Sequence, residues 1–275
     1  MEFAVQGRAA VDGAGVRLTR VLAHNEVEAF DPFLMLDSFD STDPEDYVKG
    51  FPTHPHRGIE TITYLIEGEM EHQDSLGNKG VISSGASQWM TAGSGILHQE
   101  MPKPGFRMFG FQLWLNMRST EKMAEPKYFD ITPDMIPAVR QEGSTVRIVA
   151  GEYKGVKGVT PHHLQAALLD VALAPNGTLT LPAKAGETAF LFLLEGGLRI
   201  KDKTVSTKTA ALLGEGDCVT VRALDTGVRF ALFSAPPLRE PIAWGGPIVM
   251  NTQQELRQAF SELQNGTFIK HQTVL

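Results

Sequence analysis

Apolar residues along the chain fall in short runs, at 15–21, 32–36, 60–66, 88–90 and 108–116, and again at 145–149, 166–173, 177–181, 189–194, 218–221 and 228–233. Each run has the length of a strand, and the residues between them are rich in Gly, Pro, Asn and Asp, which make tight turns. The pattern predicts an all-β chain folded as sandwiches or barrels. One segment departs from it. Thr252-Gln-Gln-Glu255 matches a capping box, and Leu256, Ala259, Phe260 and Leu263 follow at helical spacing before Gly266. This predicts a helix over about 252–265, its apolar stripe packed on a barrel.

The runs also repeat. Thr63-Tyr-Leu-Ile-Glu-Gly68 resembles Leu191-Phe-Leu-Leu-Glu-Gly196, and each copy leads through an outgoing strand to a second glycine turn, Ser84-Gly-Ala-Ser87 and Gly214-Glu-Gly-Asp217. Two copies of one small barrel are expected. Glu125-Pro-Lys-Tyr-Phe-Asp-Ile-Thr-Pro133 and the polar stretch to Ser144 read as the connection. The expected domains are therefore 1–130 and 131–275, the second ending in the helix.

Composition removes several function classes. Lys plus Arg number 25 against 32 Asp plus Glu, a net charge of -7, with no basic cluster, so direct contact with nucleic acid or an anionic membrane is not expected. No apolar window is long enough to cross a bilayer, and the opening MEFAVQGRAAVDG lacks the apolar core of a signal peptide. The single cysteine, Cys218, excludes an internal disulfide framework and reads as a small buried hydrophobe. Together these point to a cytoplasmic protein. No phosphate-binding or dinucleotide-binding glycine motif is present, and Gly93-Ser94-Gly95 is a turn, not a nucleophile elbow.

The chemistry concentrates in Thr53-His54-Pro55-His56-Arg57-Gly58-Ile59-Glu60 and, further on, His98-Gln99-Glu100. On a strand, residues two apart share a face, so His54 converges with His56 and His98 with Glu100. Two such pairs facing each other in a barrel supply three imidazoles and a carboxylate. That set suits iron(II), manganese, nickel or copper with positions left open for water or substrate, and is less typical of closed structural zinc. Glu60, four residues after His56, is an alternative carboxylate, either as ligand or as an acceptor behind the ligands. His24, His72, His162, His163 and His271 lack the paired spacing and read as surface or structural. Phe33, Phe51, Trp89 and Trp114 are candidates for an apolar wall around the ion, with Gln112 as a polar contact.

Asp31-Pro-Phe-Leu-Met-Leu-Asp37, Gly50-Phe-Pro-Thr-His-Pro-His-Arg-Gly-Ile-Glu-Thr61, Gln88-Trp-Met-Thr-Ala-Gly-Ser-Gly-Ile-Leu-His-Gln-Glu100, Gln112-Leu-Trp-Leu-Asn116, Glu125-Pro-Lys-Tyr128 and Gly246-Pro-Ile-Val-Met-Asn251 resemble the pirin family of the cupin superfamily. The resemblance spans nearly the whole chain. It implies a monomeric bicupin, two face-to-face cupin β-sandwich domains braced by a C-terminal helix, with one divalent metal, iron(II) first and Mn, Ni, Cu or Zn as alternatives, in the N-terminal domain. It implies His54, His56, His98 and Glu100 as ligands. By linear count from the Glu-Gly turns, Pro182, Lys184, Thr226 and Val228 hold the corresponding places in the second barrel, which is then expected to lack a metal. The resemblance further implies a quercetin 2,3-dioxygenase that cleaves a planar aromatic flavonol with loss of carbon monoxide, Glu100 being catalytic. The alternative it implies is a metal- or redox-sensing regulator that binds partner proteins, a transcription cofactor or a modulator of metabolic enzymes.

Overall fold

A computed structural model describes residues 1–271. Nearly every element in it is a strand, with one α-helix, Gln253–Gln264, among the described residues. The chain divides into two compact units, each built round a β-barrel.

The first barrel has two layers. A four-stranded sheet runs Phe51–His56, Ile96–Pro102, Glu69–Asp74, Lys79–Ser83, and a seven-stranded sheet runs Lys127–Ile131, Ser87–Thr91, Ile59–Glu67, Met108–Asn116, Phe33–Ser41, Val16–Leu22, Arg8–Asp12. Met108–Asn116 is buried at every position, as befits a central strand, and its two polar members, Gln112 and Asn116, are both hydrogen-bonded. Phe39 and Leu65 from one sheet pack against Met70 and Ile82 from the other, closing one end of the barrel with an apolar core. The other end is left for polar side chains.

The second barrel repeats this order, with two of its strands much longer. Thr178–Pro182 pairs with Cys218–Ala235, which pairs with Thr188–Ile200, which pairs with Lys203–Val205, as the four strands of the smaller first sheet do. Thr188–Ile200 and Cys218–Ala235 each serve both layers. Their pairing shifts register at Leu193/Glu195 and Gly196/Leu198, where bulges let a strand turn a corner. The repeat read from Thr63 and Leu191 thus marks equivalent strands.

The linear division at 130/131 is corrected at both ends of the chain. One unit combines Pro133–Pro237 with Met1–Arg8 and Thr19–Pro32; the other combines Phe33–Thr132 with Ala9–Leu18 and the chain from Leu238 onward. The edge strand Ala4–Gln6 pairs with Thr209–Leu212, which draws the N-terminus into the second barrel's unit. Within the supposed connection, Lys127–Ile131 is a strand paired with Ser87–Thr91.

The helix forms where the capping box predicts, with Thr252 and Glu255 bonded reciprocally. Leu256 and Ala259 are buried with Ala243, Ile248, Met250 and Phe268 in a small cluster of the first barrel's unit. Phe260 lies outside it, 37% exposed, so the buried stripe is narrower than the spacing implied. Cys218 corrects a second expectation: it sits on the outward face of a strand whose exposure alternates, and it is exposed. Among the described residues, no helix is long and apolar enough to cross a membrane.

Candidate metal centre

The strands Phe51–His56 and Ile96–Pro102 run antiparallel with His54 opposite His98, so the two spaced motifs meet on one inner face. One ring nitrogen from each of His54, His56 and His98 lies within 4.8 Å of the others. His56 and His98 are each 1% exposed.

The hydrogen bonds fix what these rings can offer. His54 Nδ1 lies 2.9 Å from the Pro52 carbonyl and His56 Nδ1 lies 3.0 Å from the Pro247 carbonyl. A carbonyl oxygen only accepts, so both Nδ1 atoms carry their hydrogens, and the neutral form of each ring presents its lone pair at Nε2. Those two Nε2 atoms face each other at 3.1 Å. Lone pairs that close repel unless a cation sits beside them. His56 is a poor seat for a proton, because burial, reinforced by His54, pushes its pKa down to about 3. Burial likewise pushes His98 well below its ordinary value, with His56, His54 and His72 adding to it. Both ring nitrogens of His98 are buried without a hydrogen-bond partner. Buried unpaired nitrogens are costly, and a divalent metal that accepts imidazole resolves all three rings at once.

Glu100 is buried beside this trio, but its carboxylate is not among the atoms gathered there. Gln112 Nε2 donates to its Oε2 at 2.6 Å, and Thr63 Oγ1 and Gln88 Nε2 donate to its Oε1 at 3.1 and 3.5 Å. Trp114 Nε1 in turn donates to Gln112 Oε1 at 3.4 Å, so the indole, the amide and the carboxylate form one chain. Trp114 also stands edge-on to His56, with ring centroids 4.9 Å apart.

The remaining wall residues divide by strand geometry. Gln112 and Trp114 reach the centre, whereas Trp89 does not: Gln88, its neighbour, points to Glu100 and His72, so Trp89 faces the other side of the sheet. Phe33 is turned away by a register shift, which sets it opposite Leu115 while Met35 takes the place opposite Trp114. Phe51 packs edge-on to Phe39 in the apolar end of the barrel. Glu60 is corrected too. The strand ends at His56 and a strand of the other sheet begins at Ile59, so counting four from His56 fails; Glu60 accepts a 2.7 Å bond from Thr91 on the face opposite Thr63.

His72 was the residue that spacing between histidines passed over. It is 1% exposed, lies opposite Glu100 on the next strand, accepts from Gln88 at Nδ1 and meets Asp74 at 3.1 Å through Nε2. Tyr128 stacks on it at 4.2 Å and donates to Asp130. A signal was present: His72-Gln73-Asp74 has the same two-residue spacing as the motifs read above, with an acid as its second member.

Arg57 and Gly58 anchor the ligand strand at its far end. The Arg57 guanidinium, 2% exposed, donates to the carbonyls of Ser94 at 2.7 Å and Phe268 at 2.9 Å, pairs with Glu262 at 2.8 Å and stacks on the Phe268 ring. Gly58 has φ +77°, and a Cβ there would stand 2.0 Å from the Val249 carbonyl oxygen, so no other residue fits. Buried Lys122 donates to the carbonyls of Gly58 and Val249 and to Asn116 Oδ1, tying the same turn to the strand Met108–Asn116 as well.

Two β-barrels with a clustered imidazole site in one of them define a bicupin with a candidate metal site. The comparisons agree and go further. The Pirin family model matches residues 15–115 and the Pirin C-terminal cupin domain matches 168–269. The chain belongs to the pirin family. It is 44% identical over 268 residues to a pirin-like protein of Caulobacter vibrioides, covering 96% of this chain and 97% of that one. It is 40% identical over 269 residues to human pirin, covering 96% and 91%. A crystal structure of quercetin 2,3-dioxygenase from Acinetobacter baumannii superposes with a TM-score of 0.89 at 33% identity, covering 97% and 96%.

Proposed function

We propose that this chain is a metal-dependent dioxygenase that opens quercetin-like flavonols with loss of carbon monoxide, holding one iron(II) ion on His54, His56, His98 and Glu100. The observation that carries the reading is the pair of Nε2 lone pairs facing each other beside the orphaned His98, in a chain that resembles a solved quercetin 2,3-dioxygenase. The ion, when bound, supplies a Lewis acid for the flavonol hydroxyl oxygen and a redox partner for dioxygen. The chain's own groups do the rest. Glu100, aimed by Gln112 and Thr63, accepts the hydroxyl proton, which leaves an electron-rich flavonolate. Trp114 offers a flat apolar surface for the ring, and its bond to Gln112 keeps Glu100 oriented as substrate arrives.

The test is dioxygen uptake and carbon monoxide release with quercetin, using protein reconstituted anaerobically with iron(II). Turnover should vanish in both His56→Ala and Glu100→Ala. Full activity in Glu100→Ala removes its role as base, and silence in fully metallated wild type removes the dioxygenase reading.

One observation favours a second reading, a cytoplasmic, monomeric sensor that binds protein partners. His56 Nδ1 holds the Pro247 carbonyl and Arg57 holds Glu262 and Phe268, so the ligand strand is tied directly to the C-terminal segment. Occupancy of the centre would then alter that surface. Proteins captured by the metal-loaded form and not by the metal-free form support this reading; identical sets count against it.

A further inference from the structure

We propose that the second barrel carries a binding site of its own, for a small carboxylate with an apolar body, in the place that the wall of the metal centre takes in the first barrel. The two barrels can be matched residue by residue through their strand registers. In the first, Thr63 pairs with Gln112, which pairs with Asp37, and Thr61 pairs with Trp114, which pairs with Met35. In the second, Leu191 pairs with Leu232, which pairs with Leu169, and Ala189 pairs with Ser234, which pairs with Ala167. Since Thr63 and Leu191 are equivalent in the repeat, Leu232 stands for Gln112, Ser234 for Trp114 and Ala167 for Met35.

That exchange changes both volume and polarity. Where an indole and a thioether fill the first barrel, a hydroxymethyl and a methyl leave a cavity of about 670 Å³, with Leu169 and Leu232 as its floor. The volume falls within the range of about 300–1,000 Å³ typical of small-molecule sites. Its rim carries Lys154, Lys157 and Lys184. Lys184 lies 3.5 Å from Glu187 and Lys157 lies 3.9 Å from Glu152, so three lysines against two glutamates leave one positive charge in excess. Lys154 has the Tyr153 ring 5.6 Å away and no carboxylate in the cavity beyond those two. No histidine lines the space, and both carboxylates already face lysines, which argues against a metal. An apolar floor under a rim with a single excess positive charge fits a monoanion that places its carboxylate outward and its hydrocarbon inward.

Octanoate is the probe, titrated calorimetrically into the full-length, metal-loaded protein. One octanoate per chain should bind, octanol should bind more weakly, and Ser234→Trp, which restores the residue type of the first barrel, should abolish binding. The surface double variant Lys154→Glu/Lys184→Glu should weaken it by about tenfold, the sum of two exposed charge contacts reversed in sign. His98→Leu, which disables the metal centre, should leave it intact. If Ser234→Trp fails to fold, the double variant decides. No saturable binding, binding that survives Ser234→Trp, an unchanged affinity in the double variant, octanol binding as tightly as octanoate, or loss of binding in His98→Leu would each overturn the proposal.

Discussion

The two barrels share a strand order and differ in what their smaller layers turn inward. In the first, His54 faces His98 across the sheet, with Glu100 two residues further on. In the second, Leu181 faces Val219 and Leu179 faces Val221, all four buried in one apolar cluster. A count along the chain had put Pro182, Lys184, Thr226 and Val228 at these places; register replaces them, because the hairpins between the matched strands differ in length. What the contrast teaches is that the fold needs none of the histidines. A barrel of this topology closes well on Leu and Val, so imidazoles in the first barrel are a departure from the most stable filling.

The sharpest way to break that comparison is to exchange residue types between the barrels. Leu181→His strands a polar ring in a packed core and removes apolar burial, and should lower unfolding stability by about 3 kcal/mol or more. His98→Leu, in metal-free protein, removes two nitrogens that lack partners and should raise stability by about 1–2 kcal/mol. Urea unfolding after chelation measures both. Should His98→Leu prove as destabilising as Leu181→His, the site is filled for stability rather than for a ligand.

Metal affinity sharpens the same contrast from the other side. His98→Leu should lose about 100-fold or more in competition with a chromogenic chelator, while Leu181→Ala, in the second barrel, should change it little. Gln112→Ala should fall between, at about 10- to 100-fold, since it holds Glu100 rather than the ion. An unchanged affinity in Gln112→Ala would detach Glu100 from metal binding.

How far the sequence discloses such a centre depends on which residues speak through spacing. His54, His56 and His98 are legible because strand alternation turns a gap of two into a shared face, and the barrel repeat is legible in two Glu-Gly turns. The helix is legible because its cap is a motif. Thr63 and Gln88, which hold the carboxylate, have no such signature: they are ordinary strand residues, paired with each other, until the second sheet brings Glu100 against them. Phe33 and Glu60 fail for a different reason. A bulge inverts the face of one, and the strand ends at His56 before the other, and neither break shows in a hydrophobic pattern. Which end segment joins which barrel is equally silent, since it rests on pairings between residues about 200 apart, such as Gln6 with Thr209.

The smallest expected effect concerns acid, and it belongs to the first barrel's unit alone. Glu262 accepts from Gln258 and pairs with Lys270 at 2.9 Å and Arg57 at 2.8 Å. Burial by itself would raise its pKa, but Lys270, Gln258 and Arg57 outweigh that and hold it at about 2, below its ordinary 4.5. A carboxylate lowered on folding contributes stability that is complete above about pH 4.5 and is lost as pH falls toward 2, because the unfolded chain takes up the proton first. Lys270 is one-third exposed, so solvent screens the group and the loss should be no more than about 1 kcal/mol. It should be local. Between pH 5 and pH 3, amide exchange in the helix Gln253–Gln264 should quicken relative to the second barrel's strand Ala167–Leu173, and Glu262→Gln should flatten that response. If both units loosen together, or the variant responds as the wild type does, the tether from Arg57 to the helix is not what acid releases.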